Sequence, residues 1–183
     1  MSEHVCPWWL GYLLVSPIRR WMQNPDELID PYVTPGMTVL EPGPGMGFFT
    51  LPLARRVGSG RVIAVDIQPK MLDRLRRRAI KAGLIQRIET RLSKPDSLAI
   101  DDLKGKVDFI LAVAVVHEMP SEDMFFREAA RALAPSGRVL FAEPAGHVNE
   151  SKFAQQLNSA AKAGLKVSSR PEVKRFHAAV LGK

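Results

Sequence analysis

Three glycines at alternate positions, Gly43, Gly45 and Gly47, follow directly on a β-branched apolar run and precede a segment with helical spacing. That sequence of strand, bare-backbone turn and helix restricts the fold more than anything else in the chain. Residues 37–41 read as the strand, after the turn Thr34-Pro35-Gly36, and residues 48–57 as the helix, closed by Gly58-Ser59-Gly60. The alternation then repeats. Residues 61–66 read as a second strand, and Pro69 opens a helix that runs to Gly83. Residues 87–92 form a weaker third strand, and 107–114 is a continuous apolar run, as in a strand buried on both faces. Ser121 caps a helix to about Leu133, Pro135-Ser136-Gly137 turns the chain, and 138–143 is a fifth strand. A helix over 150–164 and strands near 165–169 and 175–181 complete the pattern. Strands alternating with helices predict a mostly parallel sheet covered on both faces. The last two strands are too close for a crossover helix, so they predict an antiparallel hairpin at the sheet edge.

In such sheets a ligand binds beyond the carboxyl ends of the strands, where the strand order reverses. Glycines there let a ligand approach the backbone and supply positive φ. Asp66 ends the second strand about 20 residues after the turn, where a carboxylate can take ribose hydroxyls. The site therefore reads as nucleotide-binding, with two candidate ligand types. The dinucleotide pattern has its third glycine one position later, at Phe48 here, which is too bulky for close packing. Glu41 puts a carboxylate at the turn, which suits an ammonium group better than a pyrophosphate, and the lysine of a P-loop is missing.

The run Val39-Leu40-Glu41-Pro42-Gly43-Pro44-Gly45-Met46-Gly47 resembles the first motif of class I methyltransferases dependent on S-adenosylmethionine (SAM). Residues 62–66 resemble the second motif, 107–120 the fourth, and 133–140 the turn into the fifth strand. The similarity covers about residues 35–182, and its nearest flavour is the small-molecule group that includes the ubiquinone and menaquinone C-methyltransferases. The resemblance implies a Rossmann-like three-layer sandwich with a seven-stranded, mostly parallel sheet in the order 3-2-1-4-5-7-6, its last strand antiparallel. It also implies that Gly43, Gly45 and Gly47 line the methionine part of SAM and that Glu41 holds its amino group. Asp66 would take the ribose, Ile67 would pack on the adenine, and Ala112 would offer a backbone carbonyl to the ammonium. The family has an acid beside a small residue after the third strand. Here Ser93, or Asp96 after a small shift, is what could make that adenine contact. The product would be S-adenosylhomocysteine (SAH).

Methyl transfer from a sulfonium chiefly needs alignment and exclusion of water, and a base only where the acceptor enters protonated. Four residues fall at the expected cofactor edge: His117 and Glu118 after the fourth strand, Glu143 and His147 after the fifth. His117 is the first candidate for a substrate-side base, then His147, because histidine titrates near neutrality. Each could instead be a turn residue bonded to backbone. Glu118 could cap the next helix, and Glu143 could bind substrate or brace the loop at Gly43. These four lack metal-ligand spacing, so no metal is expected. His177, in a terminal strand, reads as structural.

The acceptor is expected to be a small organic molecule. Val115-Val116-His117-Glu118-Met119-Pro120 lacks the acid or amide and paired prolines of nucleic-acid amino-methyltransferases, and arsenite methyltransferases need several cysteines where this chain has Cys6 alone. The net charge of +7 keeps an RNA methyltransferase as the alternative, beside a SAM- or nucleotide-binding protein without transferase activity. Much of that charge, in Arg55, Arg56, Arg74, Arg76, Arg77, Arg78 and Lys81, falls on helical segments and reads as a solvated outer face. The apolar stretch 7–15 is too short to span a bilayer and lacks signal-peptide flanks, and one cysteine needs no oxidising compartment. A cytoplasmic monomer or homodimer is expected. Residues 1–33 read as an N-terminal helical segment in which Trp8, Trp9, Tyr12 and Leu13 form a lid over the acceptor, a packed helix or a dimer contact; 34–183 reads as the SAM-binding domain.

Overall fold

A computed structural model describes residues 24–183. The candidate lid residues Trp8, Trp9, Tyr12 and Leu13, and Cys6, lie outside the described residues. Seven strands form one sheet in the order β3-β2-β1-β4-β5-β7-β6. They are β1 (Thr38–Pro42), β2 (Arg61–Asp66), β3 (Ile88–Leu92), β4 (Val107–Val113), β5 (Leu133–Pro144), β6 (Lys166–Ser169) and β7 (Phe176–Gly182). All neighbours pair in parallel except β7, which is antiparallel to both β5 and β6. The expected order and hairpin are both found.

Side-chain alternation explains the layers. Phe109, Leu111 and Val113 of β4, with Leu140 and Ala142 of β5, face one side; Ile110, Ala112, Val139 and Phe141 face the other. The first side is covered by α1 (Pro25–Ile29), α2 (Thr50–Arg56) and α3 (Pro69–Lys81) through Ile29, Leu53, Ala54, Leu75 and Ala79. The second is covered by α4 (Glu122–Ala132) and α5 (Glu150–Lys162) through Phe125, Phe126, Ala129, Phe153 and Leu157. The result is a three-layer sandwich. Residues 24–33, grouped in the sequence with the leading segment, join the first layer: Ile29 and Val33 are fully buried, and the Tyr32 ring stacks on Phe109 at 5.7 Å.

Local chemistry sets the element ends. Asn24, Ser121 and Asn149 cap α1, α4 and α5, each accepting a backbone N–H two or three residues on. The Pro135-Ser136-Gly137 turn departs from expectation, because it lies inside β5. Leu133 pairs with Val107 and Arg138 with Phe109, so the extra residues bulge out of the ladder. An added Cβ on Gly137 would lie 2.8 Å from the Val107 carbonyl, so the close approach there needs glycine.

Candidate functional site

The strand order reverses between β1 and β4, and their carboxyl ends open a cleft of about 380 Å³. Glu41 lies near the tip of β1 and is buried, with Oε2 lacking any hydrogen-bond partner among the described residues. Burial pushes its carboxyl up to about 8, and the Asp66 charge adds to the effect. Gly43 follows with φ +65°, pressed against the Val115 side chain, where any Cβ would collide. Gly45 donates its N–H to Asp66 Oδ2 at 3.3 Å, so the turn and the second acid are tied together. Gly47 does something else. It does not line the cleft, and a Cβ on it would meet Leu75 of α3 at 2.5 Å. It packs the turn on α3.

Asp66 ends β2, and its Oδ1 accepts the Gln68 N–H at 2.8 Å. Burial raises its carboxyl to about 6, against the pull of these backbone donors. Each of its oxygens keeps a lone pair for a hydroxyl. Ile67, more than a third exposed, lines the cleft beside it, as do Ser93 and the buried Leu98. Of the two adenine candidates Ser93 is at the cleft and Asp96 is not. Ala112 is wholly buried within β4, and from this strand the lining begins at Val113.

After β4 the chain takes an unusual step. Ala114 has φ +55°, a conformation that L-residues seldom adopt, and its N–H bonds the Ala142 carbonyl at 2.8 Å. This turns Val115 onto Gly43 and starts the short 3-10 turn Val116–Glu118. There His117 meets Glu143, which is fully buried at the end of β5. One Glu143 oxygen accepts the His117 backbone N–H at 3.0 Å, and the other lies 2.5 Å from His117 Nδ1. Glu143 therefore braces His117, not the loop at Gly43, and it does not reach the cleft. The hydrogen bond from Glu143 raises the His117 pKa against the effect of burial, and Glu118 and Glu122 add to the rise. The His147 ring stands edge-on at 5.5 Å from His117, and Glu118 Oε1 lies 4.0 Å from His117 Nε2. His117, Glu118 and His147 all line the cleft. Among the described residues no three metal-ligating side chains come together. His177 pairs with Glu150 at 2.9 Å on the edge of the sandwich, as a structural residue would.

Sequence reasoning missed one arginine. Arg78, grouped with the solvated basic face, instead reaches back from α3 to donate to the Met46 carbonyl, and so pins the glycine turn. Arg56 and Arg76 are engaged as well, with Asp30 and with Asp73 and Thr90. The signal that sets Arg78 apart is its place one helical turn after Leu75, at the boundary of the buried stripe.

A family model described as a methyltransferase domain matches residues 39–137, more than half the chain, from β1 through β4 to the start of β5. The chain belongs to the class I SAM-dependent methyltransferases. A SAM-dependent methyltransferase from Aquifex aeolicus has the same fold, with TM-score 0.84, 25% identity and coverage of 97% of this chain and 98% of that one. The ribosomal protein L11 methyltransferase of Pelotomaculum thermopropionicum is 32% identical over 82% of this chain and 45% of its own length. The arsenite methyltransferase of Halobacterium salinarum is 33% identical over 61% of this chain and 28% of its own. The ubiquinone/menaquinone biosynthesis C-methyltransferase of Hydrogenovibrio crunogenus is 28% identical over 68% and 48%. The chain thus spans less than half the length of these three relatives. For this methyltransferase the residues present fit SAM: the orphaned Glu41 oxygen suits an ammonium, Asp66 a diol, and Ile67 and Leu98 an adenine face.

Proposed function

We propose that this chain transfers a methyl group from SAM to a small organic acceptor, with His117 as the base that frees the acceptor's nucleophile. The observation that carries the reading is the buried Glu41 Oε2, without a hydrogen-bond partner among the described residues, on the strand next to the one that ends in Asp66. A buried carboxylate oxygen without a donor costs about 1–3 kcal/mol or more, so it marks a place for a ligand's cation. When bound, SAM supplies a methyl group already activated by a positive sulfur. The chain's own residues do the rest. Glu41 and the Gly43 turn would hold the methionine end, Asp66 the ribose, and Ile67, Ser93 and Leu98 the adenine. With Glu143 as the acceptor, the proton between it and His117 sits on Nδ1. That leaves Nε2 bare toward the cleft, ready to take a proton.

Acidic lining speaks against the RNA alternative. Glu41, Asp66 and Glu118 line the cleft, and among the described lining residues Lys94 alone is a lysine or arginine. A polyanion finds little basic surface there whatever the outer charge. The arsenite chemistry of one relative's name would again need more than one cysteine. The reading places the reaction in the cytoplasm, in a monomer or homodimer.

Calorimetry with SAH and with NAD tests the cofactor half of the reading. SAH should bind and NAD should not, and Glu41→Gln should weaken SAH about tenfold or more, the worth of a hydrogen bond to a charged group. Binding of NAD without SAH would refute it.

A further inference from the structure

We propose that the loop after β3 reads the purine edge of the cofactor through the Ser93 hydroxyl and the Lys94 ammonium, and so takes a 6-oxo purine as well as adenine. This rests on the methyltransferase reading above, which sets the adenine among Ile67, Ser93 and Leu98.

Adenine presents an amino donor at N6 beside an acceptor at N1. Its 6-oxo counterpart, hypoxanthine, presents the reverse, an acceptor at O6 beside an N1–H donor. A carboxylate facing that edge accepts from the amino group and repels the oxygen that replaces it. The loop over 93–98 offers the cleft no carboxylate. The three that line it lie on β1, on β2 and in the turn after β4, and Asp96 does not reach it. Backbone donors are spent as well. The Ser93 N–H bonds the Asp66 carbonyl at 3.0 Å, the Lys94 N–H bonds the Ser97 carbonyl at 2.8 Å, and Pro95 has none to give. From this loop the polar side chains at the cleft are those of Ser93 and Lys94.

The two differ in kind. An ammonium only donates, whereas a hydroxyl both donates and accepts. Among the described residues no hydrogen bond or ion pair engages the Lys94 ammonium, and Lys94 is the one lysine or arginine that lines the cleft. With adenine, Lys94 donates to N1 and Ser93 accepts from the amino group. With the 6-oxo base, Lys94 donates to O6 and Ser93 accepts from N1–H. Either base makes two hydrogen bonds, and in neither case does donor face donor. Gln68 also lines the cleft, from the β2 side; its amide carries both a donor and an acceptor and so favours neither base. Ile67 and Leu98 meet the faces of the ring, which are alike in the two.

SAH and S-inosylhomocysteine, which differ only at C6 and N1 of the purine, are titrated by calorimetry into the full chain. Their dissociation constants should agree within about threefold, since like hydrogen bonds replace like. Lys94→Asp puts an acceptor where the donor stood, and should weaken S-inosylhomocysteine at least about tenfold relative to SAH. Lys94→Gln, whose amide can turn either way, should keep the two ligands level. Lys94 is exposed, so both variants should melt as the unaltered chain does. SAH bound about tenfold or more tighter than the 6-oxo ligand by the unaltered chain, or a ratio that Lys94→Asp leaves unchanged, would overturn the inference and leave the methyltransferase reading standing. Failure of SAH to bind at all would remove both.

Discussion

At the scale of single residues, the site is a set of carboxylates placed in environments that push them apart. Glu41 is the extreme, its carboxyl raised to about 8 by burial. The unfolded chain titrates it near 4.5, so the folded state binds a proton that the unfolded state lacks between those values. Stability from this group is full at acid pH and is lost as pH rises toward 8. Glu41→Gln should therefore raise the unfolding free energy at pH 8 and above by an amount on the order of a few kcal/mol, read by chemical denaturation, while leaving acid stability unchanged. A bound ammonium reverses the preference and draws the proton off. Titrations of SAM at pH 7 in buffers of different ionisation enthalpy should then show proton release, and Glu41→Gln should abolish it. His117 is raised as well, so its contribution to stability also falls as pH rises, and its separate signature is in turnover. Its folded pKa is raised by Glu143 first, with Glu118 and Glu122 adding to it and the His147 ring packed alongside. Turnover that needs neutral His117 must climb with pH through that raised value. Glu143→Gln keeps a hydrogen-bond acceptor but removes the charge. It should move the rising limb of the pH–rate profile to lower pH and cut kcat by roughly 10²-fold or more, the usual worth of a positioned base, with KM little changed.

At the scale of elements, the strand that ends in a strained residue matters most. Ala114 sits at φ +55° so that Val115 can close on Gly43 and His117 can reach Glu143. Glycine adopts that backbone without penalty. Ala114→Gly should leave the fold as stable or up to about 1 kcal/mol more so, yet lower turnover by loosening the 3-10 turn. Chemical denaturation alongside SAH binding and kcat would separate the two effects. Much of this element was legible in the sequence and part was not. The hydrophobic periods placed every strand to within a residue or two except the start of β5, and burial on both faces made the central β4 plainest, as a continuous apolar run. The carboxylates Glu41 and Asp66 were legible because a motif fixes them to strand tips. Arg78 was missed because what it touches depends on how α3 packs across the turn. No local pattern encodes that distance. Pro135-Ser136-Gly137 has the composition of a turn and is one chemically, but the ladder on either side carries it into β5.

At the scale of the whole molecule, the two halves of the sheet meet at the cleft. β1, β2 and β3 bring Glu41, Asp66 and Ser93, and β4 and β5 bring His117 and the Glu143 behind it. The basic charge stays largely on the outer face of the helices while the cleft is acidic, so overall charge and site charge have opposite signs. Registration between β4 and β5 is what keeps the two halves functional together. Beyond Arg138 every β5 residue is paired, Ala142 with Val113 and Glu143 with His177 on the far side. Side chains alternate faces, so removing one residue there would carry Glu143 away from His117 and set an apolar neighbour in its place. Upstream, the bulge between Leu133 and Arg138 already holds surplus chain. Deleting Ser136 should cost modest stability and spare SAH binding and turnover, whereas deleting Leu140 should abolish both; thermal melts with SAH titration would tell them apart. The bulge is thus a slack link, letting the length of chain arriving from α4 drift without disturbing the proton-handling end of the strand.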